Sequence, residues 1–226
     1  MADRVAFLNR IREQVAKGRA YRVALNPEAT AERSYVGGGP DPVASLLAEW
    51  TAVGGHGQRV TGADAAREFV LQFVLQHRIN RALRWRHPVL DRLELDTLFA
   101  ASTIDLRVWD ELSALDEQTR WDTAFAADLG ITSVNLAVAE TGSLVLFANP
   151  MQGRVVSLLP ARFLAIVEPS QIVPDLFDVF RNLESQKHDL PSNIVFVTGP
   201  SKTGDIELKL TTGVHGPGDV HLLVVE

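Results

Sequence analysis

Two textures of apolar residues alternate along the chain: recurrences every three or four positions, and short runs apolar throughout or at every second position. Val5, Leu8, Ile11 and Val15, with Arg12 beside them, lie at helical spacing within residues 3–17, a narrow stripe that stops at Gly18. A loop punctuated by Pro27 and by Gly37-Gly38-Gly39 follows. Asp41-Pro42 predicts a helix start, because Asp can cap and proline is tolerated at the first helical position. That helix should run to about Val53 and stop at Gly54-Gly55. Two helices bury too little surface to fold alone, so residues 1–55 are expected to be an N-terminal helical extension and 56–226 the main domain.

From His56 the textures take turns. A strand over 57–60 leads to a helix from Thr61 whose face carries Phe69, Val70, Phe73 and Val74. A strand is expected over 80–86, a helix over 88–99 with Leu90, Leu93 and Leu98 inward, a strand over 104–109 and a helix over 113–129 ending at Gly130. Strand and helix alternating at this spacing predict an α/β fold, with a mostly parallel sheet covered on both faces. Beyond Gly130 strands dominate: 133–140, 143–149, 162–168, and, after a helix over 175–183, the runs 193–199 and 220–226. The run at 193–199 is almost wholly apolar, as expected of a buried parallel strand.

Composition narrows the function classes. At 226 residues, with 46% hydrophobic and 22% charged residues, the chain is in the globular range. A net charge of −6 offers no broad basic field, so neither nucleic acid nor an anionic membrane surface is expected as a partner. No apolar run approaches the ~18 residues of a spanning helix, and the start has no signal-peptide pattern, so a cytoplasmic protein without membrane insertion is expected. The chain has no cysteine, which removes disulfides, a thiol nucleophile and any cysteine-ligated iron–sulfur cluster of its own.

Three clusters carry candidate chemistry. Glu140-Thr141-Gly142-Ser143 lies between two apolar runs and reads either as a hairpin turn or as a carboxylate held at a strand end. Arg154 follows Gly153 and precedes Ser157-Leu158-Leu159-Pro160; a guanidinium there could grip a carboxylate or phosphate, or simply be solvated. In the third, an apolar strand enters Gly199-Pro200-Ser201-Lys202-Thr203-Gly204-Asp205, the geometry in which backbone N–H groups, two hydroxyls and one ammonium suit an anion. The lysine precedes the second glycine, so this is not a nucleotide-binding Walker loop. Asp205 and Glu207 make a poor metal case, being two carboxylates without further ligands. His215, set among Gly213, Gly216 and Pro217, is a candidate for proton transfer. The other histidines show no ligand spacing, so no metal site is expected.

Taken in order, Ala139–Leu144, Arg154 with Ser157–Pro160, Gly199–Glu207 and Gly213–Pro217 resemble the LUD-domain family, in its stand-alone lactate-utilization protein C type. Lys202 stands where arginine is common in that pattern, Gly204 where alanine is common and Ser143 where threonine is common. The resemblance implies a Rossmann-like three-layer fold related to the sugar-phosphate isomerase and CoA-transferase group. It also implies participation in oxidation of L-lactate to pyruvate, alongside cysteine-rich partners that hold the iron–sulfur clusters. A small anionic ligand is then expected in one hollow near the carboxyl edge of the sheet, bound by Thr141, Gly142, Arg154, Gly199, Ser201, Lys202, Thr203, Asp205, Glu207 and Gly216. Glu140 and His215 are the catalytic candidates. Two alternatives stay open: an acyl- or CoA-transferase-like or nucleotide-dependent ligase-like enzyme using Glu140 as its reactive carboxylate, and a non-catalytic assembly scaffold.

Overall fold

The computed structural model describes residues 8–13, 37–204, 210–213 and 215–226. The chain divides into two units, Met1–Val36 and Gly37–Glu226. In the first, residues 8–13 are helical, with Leu8 and Ile11 exposed; the rest of the helix expected over 3–17 lies outside the described residues.

The second unit takes in helix α1 (Pro42–Ala52), which the sequence reading assigns to the extension. Asp41 caps it by accepting from the Ala44 N–H at 3.0 Å, and its inner face buries Leu46 and Trp50 completely. Then come β1 (His56–Val60), α2 (Gly62–Gln76) and β2 (Arg81–Arg84). The helix expected over 88–99 is two, α3 (Pro88–Asp91) and α4 (Leu95–Ala101). Glu94 between them adopts a left-handed φ of 49°, which turns the chain so that Leu90, Leu93 and Leu95 all reach the core.

After β3 (Asp105–Val108) the structure departs again from the sequence reading. Residues 113–129 are not one helix but the end of α5 (Trp109–Ser113), α6 (Glu117–Phe125) and the start of strand β4 (Leu129–Thr132). Every residue of β4 is buried, so its pattern carries no alternation, and Gly130 reads as a helix stop. Next are β5 (Leu136–Val138), β6 (Ser143–Ala148), α7 (Val155–Leu158), β7 (Arg162–Val167), β8 (Ile172–Val173) and α8 (Leu176–Ser185). Strands β9 (Asn193–Val197), β10 (Lys202–Gly204), β11 (Leu210–Thr212) and β12 (Asp219–Val225) complete the described elements.

Six strands form one sheet in the order β1-β12-β7-β4-β2-β3, with every neighbouring pair parallel. A smaller sheet, β8-β5-β6-β9, is mixed. Strand β9 pairs antiparallel with β6 at the edge of this second sheet, with Phe196 exposed, so it is not the buried parallel strand its apolar run predicts. The run is apolar because alternate residues still face inward, Val195 and Val197 toward the main core and Ile194 toward a small cluster of Val138, Val145, Phe147 and Val179.

The main core lines the parallel sheet with Leu83, Trp85, Leu129, Ile131, Phe163 and Leu223. Helix α7 lies directly on β4, and it can do so only because residue 130 is glycine. A side chain at Gly130 would put its Cβ 1.8 Å from the Val156 carbonyl oxygen.

Candidate functional site

In a parallel sheet, the loops that leave the strands share one edge and the loops that enter them share the other. Trp85 and Trp109 follow β2 and β3 directly, so both indoles stand at the carboxyl edge. The Trp85 Nε1–H donates to the Gly153 carbonyl at 2.9 Å. A Cβ on Gly153 would come 2.1 Å from the Trp109 ring, so the glycine here accommodates an indole. These contacts pull Asn149–Arg154 against the edge of the main sheet.

The result is a cavity of about 570 Å³ whose lining includes Trp109, Arg120, Trp121, Asn149, Arg154 and Asn193. It contains two guanidinium groups and no carboxylate among its described lining residues. Arg154 is exposed at the start of α7. Arg120 reaches the Ser113 carbonyl at 3.4 Å, and its guanidinium carbon is 5.9 Å from the Trp121 ring centroid. The Asn193 side-chain oxygen is buried without a hydrogen-bond partner, which leaves an amide available at the wall. Two cations, two indoles and an amide suit a planar organic anion.

Among the described residues, the other sequence-predicted ones do not join Arg154 there. Glu140 is half-buried in the β5–β6 turn, its backbone N–H donating to the Pro174 carbonyl at 3.1 Å. Gly142 has a φ of 61° and lies so close to α1 that a Cβ would be 2.5 Å from the Trp50 nitrogen. Thr141 donates to the Ser143 hydroxyl at 2.8 Å, and that hydroxyl pairs with Thr198 at 2.8 Å. This is the geometry of a packed hairpin turn.

Lys202 extends its ammonium to the Val53 carbonyl at 2.5 Å, at the carboxyl end of α1. A cation satisfying an unpaired carbonyl at a helix end accounts for its position structurally. Gly199, at φ 79°, packs against Val53. The backbone of Thr203 pairs with Thr211 in a short antiparallel hairpin. Asp205 and Glu207 lie outside the described residues.

Gly199, Ser201, His215 and Gly216 do come together, around a cavity of about 170 Å³. The Ser201 N–H donates to the Pro217 carbonyl, and Gly213 donates to the Ser201 carbonyl, both at 2.9 Å. His215 and Gly216 also border a larger hollow of about 710 Å³ with Arg162 and Asp219. That hollow is at the amino edge, because the 213–218 loop enters β12 and therefore lies where the parallel strands begin. The single hollow expected at the carboxyl edge is thus divided: Arg154 lines one cavity and His215 others on the opposite edge.

The amino edge holds one further cluster that sequence spacing did not reveal. His56 and His221 are register partners on β1 and β12, and their rings stack at 4.8 Å. Asp219, two residues before His221 on the same face, meets its Nε2 at 2.7 Å. His77, just after α2, brings Nδ1 to 3.9 Å from the same carboxylate. Arg162, the register partner of Asp219 on β7, approaches the second carboxylate oxygen at 3.2 Å. Burial holds the His221 imidazole below its usual pKa, although Asp219 pulls the other way.

Fold and cavity together define a Rossmann-like α/β domain. The LUD domain model matches residues 43–225, and the chain belongs to the LUD-domain family. It is similar to Lactate utilization protein C of Halalkalibacterium halodurans, 29% identical over 99% of this chain and 97% of that protein. The protein of the same name from Geobacillus sp. is 34% identical over 73% of this chain and 70% of its own length. That from Bacillus velezensis is 32% identical over 94% and 91%. A crystal structure of a DUF162 family protein from Deinococcus radiodurans shares the fold, with a TM-score of 0.54 and 20% identity over 81% of this chain and 98% of that one. No helix among the described residues is long and apolar enough to cross a membrane.

Proposed function

We propose that this chain serves lactate utilization as a ligand-binding subunit, holding an organic anion between Arg120 and Arg154 while iron–sulfur partner proteins accept the electrons. Oxidation of L-lactate to pyruvate releases two electrons and two protons, and a chain without cysteine provides no thiolates for a cluster. The observation that carries the reading is the pair of guanidinium groups in a cavity with no carboxylate among its described lining residues, beside two indoles at the edge where ligands of α/β sheets collect. The similarity to proteins named for lactate utilization, over nearly the full length of both chains, supports this reading of the pathway.

Each arginine has a distinct part. Arg154 is exposed and offers its planar fork to a carboxylate or phosphate. Arg120, half-buried beside Trp121, adds positive potential in a less hydrated setting. Trp109 and Trp121 add apolar surface to the lining, which favours an organic anion over a bare inorganic one.

Reconstitution tests this. The purified chain, added to its cysteine-rich partners, should raise the rate of lactate-dependent dye reduction, and the Arg120→Ala/Arg154→Ala variant should lose that gain while remaining folded. A rate equal to that of the partners alone overturns the pathway assignment. A double variant as active as the parent overturns the cavity assignment.

A further inference from the structure

Three of the six histidines in the chain meet one carboxylate at the amino edge of the sheet, and strand register explains why. His56 and His221 are opposed on adjacent parallel strands, and Asp219 shares the face of His221. One ligand atom from each of His56, Asp219 and His221 lies within 4.8 Å of the others. We propose that these three residues bind one divalent transition-metal ion, with an open coordination position facing the hollow bordered by His215.

The donor set fits that class of ion. Two imidazoles and one carboxylate are characteristic of zinc and of non-haem iron sites with open positions. Ligand atoms ~2.0–2.1 Å from a tetrahedral ion sit roughly 3.3 Å apart. The His221–Asp219 pair, at 2.7 Å, must therefore open slightly, and the His56–Asp219 pair, at 4.0 Å, must close slightly. The His56 side chain is 69% exposed and free to swing inward. Calcium and magnesium are disfavoured because they prefer an all-oxygen shell.

The surroundings support the three ligands. Arg162 lies 3.2 Å from the Asp219 oxygen that does not contact His221, an ion-pair contact that leaves the other oxygen facing the imidazoles of His56 and His221. Phe73 packs on both His77 and His221, with ring centroids 4.4 and 4.7 Å away. His77 stands behind the carboxylate as an outer partner. Asp219 and Arg162 border the 710 Å³ hollow, so a bound ion would face a space large enough for a water or a small oxyanion.

The test is a cobalt(II) titration of untagged protein stripped with chelator, followed by its visible ligand-field bands, with zinc competing. One equivalent should bind, and His56→Ala should weaken binding by at least about tenfold. His188→Ala, which removes an exposed histidine elsewhere, should not alter it. His56 is exposed, so its replacement does not threaten folding; circular dichroism checks this. Absence of stoichiometric binding, or binding unaffected by His56→Ala, overturns the proposal. Neither result bears on Arg120 and Arg154, whose cavity lies at the other edge of the sheet.

Discussion

The position of Arg154 depends on a residue with no side chain. In Gly130→Ala, the new Cβ would lie 1.8 Å from the Val156 carbonyl oxygen, with the Val156 carbon at 3.0 Å and Pro160 Cγ at 3.3 Å. Restoring an ordinary contact near 3.4 Å requires a shift of about 1.6 Å. The obstacle is backbone, so no change of rotamer relieves it; α7 must withdraw or β4 must bow. Overpacking of this kind costs ~1–3 kcal/mol, and we expect the upper end because β4 is central and fully buried. For a unit of this size ~3 kcal/mol corresponds to a fall in Tm of roughly 6–12 °C. Arg154 begins α7, so the same withdrawal should move its guanidinium and weaken anion binding to the protein that remains folded. Differential scanning calorimetry reads the first effect, and titration of a ligand well below Tm reads the second. Gly216→Ala is the control, since its Cβ would meet nothing nearer than 3.4 Å and should change Tm little. If Gly130→Ala melts with the parent, α7 does not bear on β4 as described. If it melts early yet binds with full affinity, α7 does not govern the site.

Removing the ammonium at the end of α1, in Lys202→Ala, should cost about 0.5–1 kcal/mol in urea unfolding and leave affinity at the arginine cavity unchanged. Arg84 has a nearly buried side chain and bonds to Asp91 and Asp96, at 2.8 and 2.5 Å. Arg84→Ala should cost about 2 kcal/mol, less than the ~3–5 of a fully buried pair, because both carboxylates are partly hydrated; denaturant midpoints measure it. His87 supplies a pH dependence. Its Nδ1 accepts from the Val89 N–H at 3.2 Å, which requires the neutral ring, and burial lowers its pKa. The unfolded chain therefore takes up that proton first, so this stability is complete above the ordinary imidazole pKa of ~6.5 and is lost as pH falls from there toward the folded value. Asn at position 87 can cap without titrating, so His87→Asn should show a shallower loss between those two pH values in urea melts taken across the range; an unchanged slope would refute the assignment.

Much of the architecture was legible because local patterns coincide with local structure. Helix α1 announces itself through Asp41-Pro42 at its start and Gly54-Gly55 beyond its end, and α2 through Phe69, Val70, Phe73 and Val74. The alternation of these helices with β1, β2 and β3 was enough to infer a parallel sheet, since a strand followed by a helix must cross over before pairing. Motif order at Ala139–Leu144, Arg154 with Ser157–Pro160, Gly199–Glu207 and Gly213–Pro217 carried the family. Strand β4 is not legible in this way, because complete burial erases alternation and its glycine mimics a helix stop.

What the linear chain determined by itself is thus the class of fold, the family and one arginine of the candidate site. Tertiary structure alone decided that Arg120, Trp109 and Trp121 join Arg154. It likewise decided that Lys202 is turned to a helix end and that His56 meets Asp219 and His221. The physical reason is range. Helical and extended periodicities are properties of a few consecutive residues, whereas a site is assembled by strand order and register between segments far apart in sequence. Here β12, the last of the described strands, inserts between β1 and β7, and no local pattern encodes that insertion.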